Sequence, residues 1–173
     1  MRTYLYAVVM VLALSLACGE QVSPVRELKH YPLDNLDDLL TSENVELDTS
    51  VTADGNGALK ITADDTTVVK LYKTGDVDIE NARLVYQAQL RTRDLQGNAY
   101  LEMWCVFPEK GRYFSRGLQN PITGDTDWTQ RAILFNLKEG ENPDSVEFNL
   151  VINGPGTVWI DDIRMMRRPL GRL

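Results

Sequence analysis

Residues 100–107 read Tyr100-Leu101-Glu102-Met103-Trp104-Cys105-Val106-Phe107. Leu101, Met103, Cys105 and Phe107 recur at every second position, and Tyr100, Glu102, Trp104 and Val106 fill the places between. Successive side chains of a strand leave opposite faces of its sheet, so this spacing predicts a strand with one wholly apolar row and one mixed row. The pattern recurs on both sides. In 83–91, Leu84, Tyr86, Ala88 and Leu90 oppose Arg83, Gln87, Gln89 and Arg91. In 146–153, Val146, Phe148, Leu150 and Ile152 oppose Glu147, Asn149, Val151 and Asn153. Strands with a single dry face must lay it on another sheet, which predicts an all-β chain folded as a two-sheet antiparallel β-sandwich. Further strands are predicted over 66–73, 129–137 and 157–166, separated by turn signals such as Asp54-Gly55-Asn56-Gly57 and Asn153-Gly154-Pro155-Gly156. Residues 33–40, with Asp34 placed as N-cap and acidic residues in the first turn, predict a short helix near the start of the domain.

The 173 residues carry 18 Lys and Arg against 25 Asp and Glu, a formal charge of -7, with a pI near 4.7. That balance argues against a sequence-independent grip on nucleic acid or on anionic lipid headgroups, both of which need clustered positive charge. The length is that of one domain, and no internal repeat is present.

The N-terminus carries an address. Arg2 is followed by an apolar run from Tyr4 to Leu14 and then by Ser15-Leu16-Ala17-Cys18, the layout of a secretory signal. The run is shorter than the ~20 residues that a membrane-spanning helix needs. Leu14-Ser15-Leu16-Ala17-Cys18 resembles the lipobox of bacterial lipoproteins, which implies acylation of Cys18 as the first mature residue and a membrane contact made through the lipid anchor only. The expected organisation is a signal peptide over 1–17, a lipidated cysteine and tether over 18–26, the sandwich over 27–168 and a tail over 169–173. The expected location is the bacterial cell envelope, facing the periplasm or the exterior. With Cys18 acylated, Cys105 has no intramolecular disulfide partner, and stability must come from the core.

Two later segments, Thr123-Gly124-Asp125-Thr126-Asp127-Trp128 and Gly154-Pro155-Gly156-Thr157-Val158-Trp159-Ile160-Asp161-Asp162-Ile163, resemble the galactose-binding-like jelly-roll domains. That group includes the carbohydrate-binding modules appended to cellulases and xylanases. The resemblance spans roughly residues 45–166. It implies a jelly-roll sandwich, structural roles for Trp128 and Trp159, and a structural calcium ion near the final strand with Asp161 or Asp162 as a ligand. Adjacent strand residues point oppositely, so only one of these two faces such a site unless a bulge intervenes.

No catalytic constellation emerges. His30, the single histidine, has no nucleophile or orienting carboxylate near it in sequence. Cys105 sits in the apolar row, where burial raises a thiol's pKa. The carboxylate pairs Asp64-Asp65 and Asp161-Asp162 are sequence neighbours, whereas glycoside hydrolysis needs carboxylates facing across a cleft. A non-enzymatic binding module is therefore expected. Its ligand face is expected to combine Trp104, Tyr100 and Glu102 with Gln87, Gln89, Arg91, Glu147 and Asn149, an aromatic floor among polar groups suited to a polysaccharide or other glycan. Two placements of Trp104 satisfy its parity: an open stacking platform, or a residue packed beneath a loop over 112–127. A protein-interaction or structural envelope lipoprotein, using the same face on an envelope protein partner, is the alternative reading.

The anchor is tested directly. Cys18→Ala should abolish acylation and leave the protein unprocessed or soluble, read by membrane fractionation and the size of the mature chain.

Overall fold

A computed structural model describes residues 25–170. The strands are β1 (Arg26–Tyr31), β2 (Val45–Asp48), β3 (Ala58–Ala63), β4 (Thr67–Gly75), β5 (Ala82–Arg93), β6 (Asn98–Phe107), β7 (Gly111–Arg116), β8 (Ile122–Thr123), β9 (Thr126–Leu137), β10 (Ser145–Asn153) and β11 (Gly156–Arg168). They form two sheets. One runs β2-β3-β11-β5-β9, with β1 also beside β11, and the other runs β4-β10-β6-β7, with β8 beside β6. Every pairing is antiparallel. This is the two-sheet sandwich that the alternation predicts.

The core lies between the sheets. Leu84, Tyr86, Ala88 and Leu90 of β5 face Leu101, Met103, Cys105 and Phe107 of β6 and Val146, Phe148, Leu150 and Ile152 of β10, and all of these are buried. The Tyr86 ring meets that of Phe148 edge-on, with centroids 4.8 Å apart. Removing such a ring, as in Phe148→Ala, costs about 3–5 kcal/mol through lost burial and the cavity left behind.

Strand β11 departs from simple alternation. Its register with β5 shifts between Asp161 and Arg164, and Asp162 takes a left-handed backbone conformation with φ 49°. The extra residue inverts parity, so Val158 and Ile160 enter the core before the bulge, and Ile163 and Met165 after it. The neighbour changes with it: β3 pairs with β11 as far as Ile160, and β1 takes over from Ile163.

Two expectations are corrected. Residues 33–40 form turns and not a helix. Leu33 and Asp38 adopt left-handed φ of 61° and 59°, which no α-helix accommodates. A two-turn helix gains few hydrogen bonds for its nucleation cost, whereas here Leu33 is buried and the Leu40 N–H donates to the Leu71 carbonyl of β4 at 3.0 Å. The segment over 112–127 is likewise no covering loop, because it contributes β7 and β8 to the edge of the second sheet. The signal peptide and Cys18 lie outside the described residues.

Burial pushes the Cys105 thiol up to about 12. At neutral pH it should therefore react slowly with a thiol reagent in the native protein and fully after denaturation. Fast native labelling would mean that β6 is out of phase, since a slip of one residue exchanges its two rows.

Candidate functional site

The outer face of the β4-β10-β6-β7 sheet is built from rows of directly opposed residues. Glu147, Trp104 and Phe114 form one row, and Asn149, Glu102 and Arg116 form the next. Val151 and Tyr100 form a third. At its centre is Glu102, only 4% exposed. Its Oε1 accepts hydrogen bonds from Trp104 Nε1 at 2.8 Å and Asn149 Nδ2 at 2.9 Å, and its Oε2 accepts one from Arg116 Nε. Burial alone pushes this carboxyl up, but the bonds from Asn149, Trp104 and Arg116 outweigh it and hold Glu102 below its ordinary value. The charge is thus kept and satisfied. It also fixes the edge of the indole and the orientation of the Asn149 amide.

A second layer lies on this floor. The Arg112 guanidinium sits 4.6 Å from the Trp104 ring centroid and donates through Nη2 to Glu147 Oε2 at 2.6 Å. Lys73 Nζ is 3.4 Å from Glu147 Oε1. The Arg116 guanidinium lies 4.4 Å from the Phe114 centroid, and Phe114 is 51% exposed with its ring 5.1 Å from that of Trp104. Trp104 is consequently neither an open platform nor a residue under a loop. It is half-buried in its own sheet with a guanidinium on its face.

Strand parity brings Tyr100, Glu102, Trp104, Glu147 and Asn149 together, with Tyr100 and Asn149 more deeply buried than a wet face would leave them. The structure does not bring Gln87, Gln89 and Arg91 to them. Those three leave the outer face of β5, which lies in the other sheet and points away on the far side of the sandwich. Alternation tells which residues share a strand face and is silent on which sheet holds the strand. The expected eight-residue face is therefore two separate groups. Arg112, Phe114 and Arg116 were missed as site residues, because Gly111-Arg112-Tyr113-Phe114-Ser115-Arg116-Gly117 shows no alternation, and the paired aromatics between two glycines are the one strand signal it carries.

On the far side, His30, Ala53, Asp54, Gln89, Trp128, Asp162 and Arg164 line a hollow of about 340 Å³. Here the bulge places Asp161 and Asp162 in different roles. Asp161 is fully buried and accepts the N–H groups of Ala53 at 2.8 Å and Asp162 at 2.7 Å, and burial raises its carboxyl. Asp162 Oδ1 is 2.7 Å from His30 Nε2, and both its oxygens accept from Arg164 Nε, at 2.9 and 3.0 Å. Calcium takes six to eight oxygen ligands. Asp161 is turned to backbone N–H groups, and Asp162 to His30 and the Arg164 guanidinium. Among the described residues no three His, Cys, Asp or Glu side chains are grouped to hold a metal. Trp159 is a packing residue, 8% exposed, with Nε1 donating to Asp48 Oδ2 at 2.9 Å.

The sandwich is similar to those of solved carbohydrate-binding modules. The CBM22-1 xylan-binding domain from Paenibacillus barcinonensis Xyn10C superposes with a TM-score of 0.59 at 10% identity, covering 84% of this chain and 97% of that one. A xylan-binding domain of CBM22, formerly the x6b domain, gives 0.58 at 7% identity, covering 89% and 100%. A family 30 carbohydrate-binding module gives 0.51 at 19% identity, covering 74% and 86%. At these identities the likeness is one of fold. No family model matches the chain. A 50-residue stretch is 36% identical to part of the uncharacterised HTH-type transcriptional regulator YbfP of Bacillus subtilis (strain 168), covering 29% of this chain and 16% of that protein.

The Glu102 network has a pH signature. A carboxylate held below its unfolded value stabilises the fold fully above that unfolded value and loses the contribution as pH falls through the lowered one. Acid titration of the melting temperature should show this loss below the ordinary carboxylate range, and Glu102→Gln should flatten that limb while lowering stability at pH 7.

Proposed function

We propose that this domain is a non-enzymatic carbohydrate-binding module which holds a glycan on the outer face of the β4-β10-β6-β7 sheet. The observation that carries the reading is the buried Glu102 carboxylate, which locks the Trp104 indole and the Asn149 amide in one arrangement beside the exposed Phe114 ring. A sugar presents an apolar ring face and a hydroxyl edge. A surface that offers an aromatic ring beside polar groups of fixed orientation matches both, and groups fixed in advance lose little freedom on binding. The fold shared with xylan-binding and other carbohydrate-binding modules supports the same reading.

The same carboxylate is not arranged as a general acid, which supports the non-catalytic reading. A general acid in glycoside hydrolysis needs a raised pKa, whereas Glu102 is held low by three donors. Acylation of Cys18 would hold the module at the bacterial envelope, since two or more acyl chains, at about 0.8 kcal/mol per buried methylene, retain a protein stably in a bilayer. The tether that follows the lipidated cysteine, expected to run as far as residue 26, would leave the sandwich in the aqueous phase.

The test is a glycan panel read by retention and by the rise in melting temperature. Phe114→Ala should weaken binding about tenfold, or ~1.4 kcal/mol, and leave stability within about 0.5 kcal/mol, as surface truncations usually do. Trp104→Ala should lose binding together with roughly 3–5 kcal/mol of stability, because it leaves a cavity and strips a donor from Glu102. Glycan retention unchanged in both variants would remove the site from this face. A panel with no ligand at all would transfer the face to an envelope protein partner.

A further inference from the structure

The outer face of the β4-β10-β6-β7 sheet has a charge opposite to that of the chain. Four cations stand on it, Lys70, Lys73, Arg112 and Arg116, against two carboxylates, Glu102 and Glu147. The signs are also layered. The Glu102 and Glu147 side chains are recessed at 6% and 22% exposure, whereas Lys73 and Arg112 each stand at 52%. Lys70 is exposed next to Asn149 and forms no ion pair among the described residues. An approaching ligand therefore meets positive charge first.

The two arginines are held for use. Each guanidinium is laid on an aromatic ring, Arg112 on Trp104 and Arg116 on Phe114, and each is tied from below to a recessed carboxylate. A guanidinium has five N–H donors. The bond to Glu147 engages Nη2 of Arg112 and the bond to Glu102 engages Nε of Arg116, which leaves donors on both. Planar forks held in place are suited to bidentate recognition of a planar carboxylate. Arg112 and Arg116 are four residues apart on one strand, about 13 Å at 3.3 Å per residue, so both are engaged only by an extended ligand with carboxylates along its length.

We infer that the glycan held on this face is acidic, a uronate-bearing polysaccharide whose carboxylates bind Arg112 and Arg116 and are attracted by Lys70 and Lys73. The inference rests on the glycan-binding reading given above. It also accounts for the guanidinium on the Trp104 ring, which would compete with a neutral sugar for that surface and serves an acidic one.

The probes are polygalacturonate, alginate and glucuronoxylan, each paired with its carboxyl-reduced form, so that backbone and linkage stay constant while charge is removed. Calorimetry should show at least one acidic polymer bound tenfold or more tightly than its reduced form. That preference should shrink severalfold between about 50 and about 300 mM salt, as screening requires. Lys70→Gln with Arg112→Gln should bring the acidic polymer down to the level of the reduced one. Lys70→Gln alone, at an exposed position, should lower affinity without a change in melting temperature, and Arg116 is left intact because it satisfies Glu102. Equal affinity for acidic and reduced forms, or binding confined to neutral glycans, overturns the charge inference and leaves glycan binding standing. No binding to any acidic, reduced or neutral glycan overturns both.

Discussion

Leu101, Met103, Cys105 and Phe107 of β6 lie against Leu84, Tyr86, Ala88 and Leu90 of β5, and this apposition of two apolar rows governs the rest of the molecule. Burial of apolar surface is the largest favourable contribution to folding, and on a strand it has a geometric corollary. Once alternate residues are committed to the interior, the residues between them are delivered to the outer face with their spacing already set. Tyr100, Glu102 and Trp104 stand in line because their neighbours need to be buried. Antiparallel pairing then sets Glu147 and Asn149 of β10 and Phe114 and Arg116 of β7 beside them.

What that delivery leaves is a surface whose polar groups constrain one another. Glu102 is removed from water and remains charged, an arrangement that is costly unless several donors converge on it. Trp104, Asn149 and Arg116 supply them from three strands. The same donors are thereby immobilised, so the requirement that stabilises the carboxylate also orders the surface above it. The guanidiniums stacked on Trp104 and Phe114 extend this order outward by one layer.

The fold class and the inward rows were legible because they depend on a local period of two, which survives whatever the strand pairs with. The composition of the site was legible only in part. Gln87, Gln89 and Arg91 have the correct parity and the wrong sheet: β5 and β6 are consecutive in the chain but belong to different layers, and that assignment comes from pairing between distant segments. The helix expected over 33–40 failed for a related reason. Local capping signals were present, but burial of Leu33 and a backbone bond to β4 favoured turns. In β7 the strand is short and its charged residues give no apolar row, so Arg112, Phe114 and Arg116 become visible as a group only beside β6.

The bulge at Asp161 and Asp162 makes one strand do the work of two. Before it, β11 is a partner of β3 with even-numbered residues inward; after it, β11 is a partner of β1 with odd-numbered residues inward. A different side chain at 162 would lose the contacts with His30 and Arg164, and a β-branched one would also be strained at φ 49°. Loss of that single residue would restore a plain ladder, with Ile163 opposite the buried Ala88 and the inward row intact, and would remove the carboxylate that meets His30 and Arg164. The extra residue is therefore no requirement of the core; it serves the outer side of the sheet, where it turns Asp162 toward His30 and Arg164.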